Sequence, residues 1–180
     1  MRVIAGTAKG TRLGRVPAGT RPLSDRAREG LFSSLGPRVR GARCADLFAG
    51  TGAIGIEALS RGAAACVFVD SSAAAVRTIH DNLGRTGLAE GAEVARADVA
   101  GYLRRGGDPV DLSFLDPPHR VGGEALREVM EALRARLAAD AMVVLTRASR
   151  NATDVIPVDW LVVRRFAYGD THVLLCREGA

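Results

Sequence analysis

A short turn after an apolar segment carries the strongest chemical signal in the sequence. The segment Val110–Leu115 is followed by Asp116, Pro117, Pro118 and His119. Prolines fix φ and lack an N–H group, so this turn is stiff and exposes mainly acceptors. The Asp116 carboxylate and the Pro117 carbonyl can accept both hydrogens of an exocyclic amino group, and the His119 ring can stack on the attached base. The pattern predicts a site for an aromatic amine.

An aromatic amine is a poor nucleophile because its lone pair is delocalised into the ring. Two acceptors pull the nitrogen toward tetrahedral geometry and aim the lone pair at an electrophilic carbon, so positioning and electrostatics supply most of the catalysis. No base is needed before attack, because the proton becomes acidic once the new bond forms. The candidate catalytic residues are Asp116, Pro117, Pro118 and His119.

A glycine-rich loop earlier in the chain predicts where a cofactor binds. Residues 50–55, GTGAIG, fit the pattern G-x-G-x-x-G, between a predicted strand and a predicted helix. The glycines permit a tight turn and a close approach of a ligand to the backbone. Alone, the motif is typical of a dinucleotide site. The candidate cofactor residues in this segment are Phe48, Gly50, Thr51, Gly52 and Gly55.

Three aspartates at the ends of successive predicted strands favour a different cofactor. Asp46 stands four residues before Gly50, where a pyrophosphate would meet its charge at a cost of about 1–4 kcal/mol. S-adenosylmethionine has an ammonium and a sulfonium and no phosphate, so it would gain from this carboxylate. Asp70 can accept both ribose hydroxyls, and Asp98 can accept the adenine amino group. The expected cofactor is therefore S-adenosylmethionine, which would donate its methyl group to the amine.

Each aspartate also has a purely structural interpretation. Asp46 could cap the glycine-rich turn, Asp70 could cap the helix that follows it, and Asp98 begins a segment with a good helix start.

Strand and helix patterns alternate along the chain and predict an α/β fold. The predicted strands are 42–48, 66–69, 93–97, 110–115, 141–146, 160–167 and 172–176. The predicted helices are one from an N-cap at Ser24 to Gly36, then 53–61, 72–86, 99–105 and 123–138. This order predicts a doubly wound, mostly parallel seven-stranded sheet with an antiparallel C-terminal hairpin. Together with the expected cofactor, it corresponds to a Rossmann-like class I methyltransferase fold.

Positive charge is concentrated near the N-terminus. Residues 1–43 hold ten basic and two acidic side chains, a net charge of +8 in a chain whose total is +5. Genomic base composition would explain the preference for Arg over Lys, but not this clustering. The sequence predicts a basic arm and helix over residues 1–40 that bind RNA, and a catalytic domain over 41–180. The candidate RNA-binding residues are Arg12, Arg15, Arg21, Arg26 and Arg28.

Composition limits the other possibilities. Cys44, Cys66 and Cys176 have no metal-ligand spacing, so reduced thiols and no metal are expected. No apolar run approaches the roughly 20 residues of a membrane span, and the first residues lack the apolar core of a signal peptide. We expect a cytoplasmic protein without a membrane partner, and a monomer because no apolar stripe is left over.

The chain resembles the bacterial 16S rRNA guanine-N2 methyltransferases of the RsmD type over nearly its whole length. The matching segments, in the order and spacing of that family, are RVIAGTAKGTRL, GTRPLSDRAREGLFSSL, ADLFAGTGAIGIEALSRGA, LDPPHR and YGDTHVLL. The resemblance implies a guanine N2 amino group in 16S rRNA, free or in the small ribosomal subunit, as the methyl acceptor. It also implies that the segment TRP…DR.RE.LF docks beside the cofactor and contributes to binding both cofactor and RNA.

Two positions depart from the family pattern. His119 stands where the family usually has Tyr or Phe, and Asp70 stands where it tends to have Glu. Imidazole is a smaller stacking surface that can become charged, so the first change bears on turnover and its pH dependence. The second keeps the carboxylate and with it the expected contact to ribose.

Three other functions compete with this interpretation. A methyltransferase acting on the N6 amino group of adenine would use the same turn, although a DNA enzyme of that kind generally needs a recognition domain for which 180 residues leave little room. A dehydrogenase-like domain is disfavoured by Asp46 and the proline turn. A non-catalytic RNA-binding module would not need Asp46, Gly50, Gly52 and Asp116.

Overall fold

Seven strands form one mixed sheet in the order β3-β2-β1-β4-β5-β7-β6. The computed structural model describes residues 1–14, 23–147 and 152–179. The strands are β1 (Arg43–Leu47), β2 (Ala65–Asp70), β3 (Ala92–Arg96), β4 (Val110–Leu115), β5 (Leu137–Arg147), β6 (Trp160–Tyr168) and β7 (Thr171–Glu178). Strands β1 to β5 are parallel, while β7 runs antiparallel to both β5 and β6. The predicted sheet with its closing hairpin is confirmed.

Five α-helices in the described residues connect and cover the strands. They are α1 (Asp25–Leu35), α2 (Ala53–Ser60), α3 (Ala73–Thr86), α4 (Val99–Arg104) and α5 (Gly123–Arg134). The side chains of Ser24, Ser72 and Asp98 accept backbone N–H groups at the starts of α1, α3 and α4. These caps satisfy amides that have no partner within a helix, so they define where the three helices begin.

The order of the strands reverses direction between β1 and β4. The chain leaves β1 toward β2 and β3 on one side and later returns to β4 and β5 on the other. Leu47 lies in register with Val69 of β2 and with Leu115 of β4. The residues after these three positions therefore meet at one edge of the sheet, at the topological switch point where α/β sheets bind ligands.

Alternating strand residues supply two hydrophobic clusters on opposite faces of the sheet. Phe114 packs with α1, α2 and α3, whereas its neighbour Leu115 packs with α4 and α5. This is the period-two alternation of a strand that is covered on both faces.

The first residues of the chain are packed against the α2 side of this core. Arg2 and Arg12 form an antiparallel bridge, and Val3, Ala8 and Leu13 are buried in the same cluster as Phe114. The backbone N–H groups of Ile4 and Ala5 donate to the buried Glu57 carboxylate of α2, at 2.8 and 3.0 Å. The arm is therefore held against α2 by directed hydrogen bonds as well as by apolar packing.

One predicted boundary is wrong. The helix expected over 123–138 ends at Arg134, and the strand expected from 141 begins at Leu137. Leu137 pairs with Val110 of β4, and Met142 pairs with Leu112. The register of the two strands shifts between these pairs, where Asp140 has a φ of 61°. A non-local strand partner thus takes residues whose local pattern favoured helix. Among the described residues, no helix is long and apolar enough to cross a membrane.

Candidate active site

A cavity of about 1040 Å³ opens at the carboxyl ends of the parallel strands. Its walls come from the glycine loop after β1, the ends of β2 and β3, the proline turn after β4, the end of β5 and the β6–β7 turn. The predicted site residues that line it are Asp46, Phe48, Gly50, Thr51, Asp70, Asp98, Asp116, Pro117, Pro118 and His119. The switch point thus brings together residues more than 70 positions apart in the sequence.

Asp46 is a buried carboxyl at the start of the α2 helix. Its Oδ2 atom accepts the Gly55 N–H at 2.9 Å, and its side chain is almost fully buried. Burial raises the pKa of Asp46 to about 8, the Gly55 hydrogen bond opposes that rise, and the nearby Asp116 and Asp70 charges add to it. Asp46 is therefore placed to gain strongly from a cationic ligand.

Asp70 shapes the glycine loop in addition to lining the cavity. Its two carboxylate oxygens accept the N–H groups of Gly50, at 2.9 Å, and Ser72, at 2.8 Å. A carboxylate has about four acceptor sites, so the contact to ribose hydroxyls remains open to it. Next to this contact Phe48 has a φ of 62°, a conformation that a bulky residue adopts at a cost of order 1–3 kcal/mol.

The glycines of the loop divide into two roles. Gly50 lines the cavity, with a φ of 56°, while Gly52 has a φ of 73° at the N-cap of α2. A Cβ atom on Gly55 would lie 2.4 Å from the Phe68 ring. Gly52 and Gly55 are not among the cavity-lining residues. Their structural role is to turn the chain and let α2 pack against β2; their contact with the cofactor stays a prediction.

Asp98 caps a helix and also lies at the cavity. It lines the cavity, and its Oδ2 atom accepts the Gly101 N–H at 2.9 Å as the N-cap of α4. The cap fixes the orientation of the carboxylate, which leaves its other oxygen available at the cavity.

Asp116 is held by a residue of the neighbouring strand. Because Leu115 pairs with Leu145, Asp116 lies beside Thr146, whose hydroxyl donates a hydrogen bond to the Asp116 carboxylate. Burial raises the pKa of Asp116, while the Thr146 hydrogen bond and the nearby His119 lower it. After Asp116 the turn closes through a 2.9 Å bond from the Val121 N–H to the Pro118 carbonyl, and His119 is exposed at the cavity rim.

The β6–β7 turn forms the wall opposite the proline turn. Strand β7 lies two strands from β4, which corresponds to roughly 10 Å at ordinary strand spacing. Tyr168, at the start of this turn, packs on Gly30 of α1, where a Cβ atom would lie 1.8 Å from the tyrosine hydroxyl. Functional interpretation of the sequence missed this wall; its only signal was the segment YGDTHVLL. The lining residues not predicted individually include Thr146, Arg120, Arg147, Arg165, Asp170 and His172.

The predicted RNA-binding residues differ in their exposure to solvent. Arg12 and Arg26 are exposed, and Arg15 and Arg21 lie outside the described residues. Arg28 is completely buried, so the prediction that it contacts RNA phosphates is wrong. Burial lowers its pKa, although the neighbouring Glu57 and Asp25 carboxylates oppose that shift.

The +8 charge of residues 1–43 does not form one patch. Arg38, Arg40 and Arg43 are exposed just before or at the start of β1, at the edge of the sheet opposite the cavity. The first residues of the chain instead approach the glycine loop. The Gly14 N–H donates to Asn82 Oδ1 at 2.7 Å, and the Asn82 amide donates to the Thr51 carbonyl of that loop at 2.9 Å. Gly14 therefore lies near the glycine loop, and Arg12 is two residues before it.

The chemistry of the cavity suits S-adenosylmethionine. Four aspartates, Asp46, Asp70, Asp98 and Asp116, line it and can pair with an ammonium and a sulfonium. Its volume is at the upper end of the range for small-molecule sites and leaves room for a nucleobase beside the cofactor. No group of three or more potential metal ligands occurs among the described residues.

Comparison with known proteins identifies the family. The family model described as Conserved hypothetical protein 95 matches residues 1–177. The chain belongs to this family. It is 35% identical over its full length, and over 91% of the relative, to Ribosomal RNA small subunit methyltransferase D of Escherichia coli. It is 42% identical to a putative rRNA methyltransferase of Bacillus subtilis, over 67% of each chain. The resemblance stated from the motifs is confirmed.

Solved structures agree with the membership in the Conserved hypothetical protein 95 family. A putative methyltransferase from Escherichia coli superposes with a TM-score of 0.87 at 34% identity, covering 100% of this chain and 98% of that one. A putative RNA methyltransferase from Pyrococcus horikoshii, at 20% identity, has a TM-score of 0.76 over 94% and 95% of the two chains. The second likeness concerns the fold alone, and both support the class I methyltransferase architecture.

Proposed function

We propose that this protein methylates the exocyclic N2 amino group of a guanine in small-subunit ribosomal RNA, with S-adenosylmethionine as the methyl donor. The observation that carries the proposal is the position of the Asp116–His119 turn, which shares one cavity with the acidic glycine-loop site. The relatives named as rRNA small subunit methyltransferases support the choice of RNA.

The cofactor occupies the part of the cavity formed by the ends of β1, β2 and β3. Asp46 holds the positive charge of the methionine end, Asp70 takes the ribose hydroxyls, and Asp98 accepts the adenine amino group. When bound, the cofactor supplies a methyl group on a sulfonium, which is a strong electrophile. The glycine loop, stiffened by the Asp70 to Gly50 hydrogen bond, keeps these contacts in one geometry.

The target guanine enters between the proline turn and the β6–β7 turn. Asp116 and the Pro117 carbonyl accept the two N2 hydrogens, so the lone pair is directed at the methyl carbon. Thr146 fixes the carboxylate in the orientation that this requires. His119 stacks on the base, and the amine proton passes to the Asp116 carboxylate or to water after the methyl group has moved.

RNA binds across the face that carries the arm and the cavity rim. Arg12 and Arg26 are exposed on the arm and α1, and Arg120, Arg147 and Arg165 line the cavity. Arginine pairs with phosphate bidentately, so these groups suit a backbone that must lead one unpaired base into the site. Substrate RNA, a cytoplasmic location and a monomeric state are parts of the same proposal.

Transfer of a labelled methyl group tests the proposal directly. Purified protein is incubated with tritiated S-adenosylmethionine and small-subunit particles from cells that lack this activity, or with naked 16S rRNA, and the nucleosides are separated. We expect label in N2-methylguanosine. Label in N6-methyladenosine would establish the adenine alternative, and binding of RNA without any transfer would establish a non-catalytic module.

A further inference from the structure

Arg28 is a completely buried cation at the boundary between the arm, α1 and the cavity. Its Nη2 atom donates to the Arg2 carbonyl at 2.5 Å and to Asp25 Oδ1 at 3.0 Å. Its Nε atom lies 3.9 Å from Glu57 Oε2, which is an ion pair too long for a hydrogen bond. The Nη2 group of the guanidinium is thus committed to the fold.

Two other nitrogens of the Arg28 guanidinium carry N–H groups without acceptors. Within the part of the chain that the structure describes, Nη1 and Nε have no hydrogen-bond partner, although both atoms are buried. A charged donor left without an acceptor destabilises the fold more than a neutral one does. Such an atom in a native fold calls for an explanation, and Arg28 is among the residues that line the cavity.

The charges of the cavity indicate what kind of ligand this is. Arg28 is the one fully buried base among the described lining residues, whereas several carboxylates line the same cavity. S-adenosylmethionine ends in an ammonium and a carboxylate on the same carbon. A site built from carboxylates alone would bind the first group and repel the second.

We propose that Arg28 binds the carboxylate of the methionine end of the cofactor through its unpartnered Nη1 group. The inference rests on the proposed function, because it requires S-adenosylmethionine in the cavity. Asp46 and Arg28 then form an acid–base pair of recognition groups, one for the ammonium and one for the carboxylate. The Arg2 carbonyl holds the guanidinium in place, so the arm takes part in cofactor recognition without touching the cofactor.

A competing interpretation assigns Arg28 to the fold alone. It bridges Arg2 of the arm, Asp25 of α1 and Glu57 of α2, and removal of such a bridge could loosen the cavity in general. Arg61 offers a matched control, because it donates to the same Glu57 carboxylate at 2.7 Å and lies over the Phe32 ring at 4.9 Å, yet it does not line the cavity.

Calorimetry with two ligands separates the two roles. The ligands are S-adenosylmethionine and its decarboxylated form, which differ only in the carboxylate, and the proteins are wild type, Arg28→Met and Arg61→Met. Wild type should bind the carboxylate-bearing ligand with about 10- to 100-fold higher affinity, which corresponds to the contribution of one hydrogen bond to a charged group. Arg28→Met should lose that preference and bind the decarboxylated form about as well as wild type does, while Arg61→Met should keep it.

Folding of each variant is checked by circular dichroism and thermal unfolding. If Arg28→Met is unfolded, Arg28→Lys replaces it. The lysine ammonium keeps the charge but lacks the planar guanidinium that can bind the Arg2 carbonyl and a ligand at the same time. The preference for the carboxylate-bearing ligand should therefore fall several-fold. Equal weakening of both ligands in the Arg28 variants, or an unchanged preference, would overturn the proposal. Wild type that binds neither ligand would instead refute the proposed function.

Discussion

Thr146 donates its hydroxyl hydrogen to Asp116, across the β4–β5 pair and from 30 positions away in the chain. Thr146 is buried and also lies 3.4 Å from the Leu115 carbonyl, so its hydroxyl has little freedom to turn elsewhere. The carboxylate proposed to receive the amine is therefore oriented by a side chain of the neighbouring strand. A reaction that depends on aiming a lone pair should be sensitive to this contact.

Thr146→Val should lower the rate of methyl transfer by about 10- to 100-fold and leave cofactor affinity nearly unchanged, because a misaimed acceptor costs positioning energy. The Thr146 hydrogen bond lowers the pKa of Asp116, so its loss should raise that pKa and move the acid limb of the rate profile to higher pH. Thr146→Ser retains the hydroxyl and should stay near wild type. An unshifted profile with a lost rate would mean that Thr146 only packs.

Binding of the cofactor should be linked to the proton of Asp46. With a pKa of about 8 in the free protein, this carboxyl is mostly protonated at pH 7 and must ionise to meet a cation. Affinity for S-adenosylhomocysteine, which keeps the ammonium, should rise by up to about tenfold per unit between pH 6 and 8 and then level off. Calorimetry in two buffers of different ionisation enthalpy should detect release of a proton. Asp46→Asn removes the titrating group and should bind weakly at every pH, without this slope.

The same substitution should stabilise the free protein. A folded pKa of about 8 lies above the unfolded value of about 3.9, so the native state holds a proton that the unfolded chain loses, and stability falls as pH rises between these two values. Asp46→Asn has no such loss. Its advantage in unfolding free energy should be small at pH 4, grow by up to about 1.4 kcal/mol per unit, and reach a plateau above pH 8. Urea titrations at pH 4.5, 6.5 and 8.5 measure it, and equal midpoints at all three would contradict the argument.

His119 should act as a stacking surface. Phe or Tyr at this position should keep or improve activity because a larger ring stacks better, whereas Ala should lose about ten- to a hundredfold in rate. If His119 were a general base, Phe would be as damaging as Ala, and the activity of wild type would rise with pH in a way that the Phe variant lacks. Rates of wild type, His119→Ala and His119→Phe from pH 5.5 to 8.5 decide between these roles.

The two groups of exposed arginines near the N-terminus should affect RNA binding differently. Replacing Arg12 and Arg26 with Ala should reduce the slope of log affinity against log salt by up to roughly one for each lost phosphate contact. Replacing Arg38 and Arg40, which lie before β1 at the opposite edge, changes the net charge equally and serves as the control. Equal slopes for the two double variants would show that net charge, and not the arm, governs binding.

The sequence by itself determined the elements and their order, because these depend on local pattern. Period-two apolar runs, the helix cap at Ser24, and turn signals at glycine and proline are properties of neighbouring residues. The parallel order then requires the carboxyl ends of β1, β2 and β4 to meet. For that reason Asp46, Asp70 and Asp116 could be assigned to one site before any coordinates were known.

The tertiary structure decided the features that depend on which distant segments pack together. Whether Arg28 faces water or the interior depends on the arm folding across α1 and α2, and nothing in its neighbours along the chain specifies this. Gly55 matches a ligand-binding pattern, yet the nearness of Phe68 makes it a packing residue. Leu137 follows a helical pattern but pairs with Val110. In each case a contact between residues far apart in sequence outweighs a local preference, because burial and strand pairing contribute more free energy than propensity does.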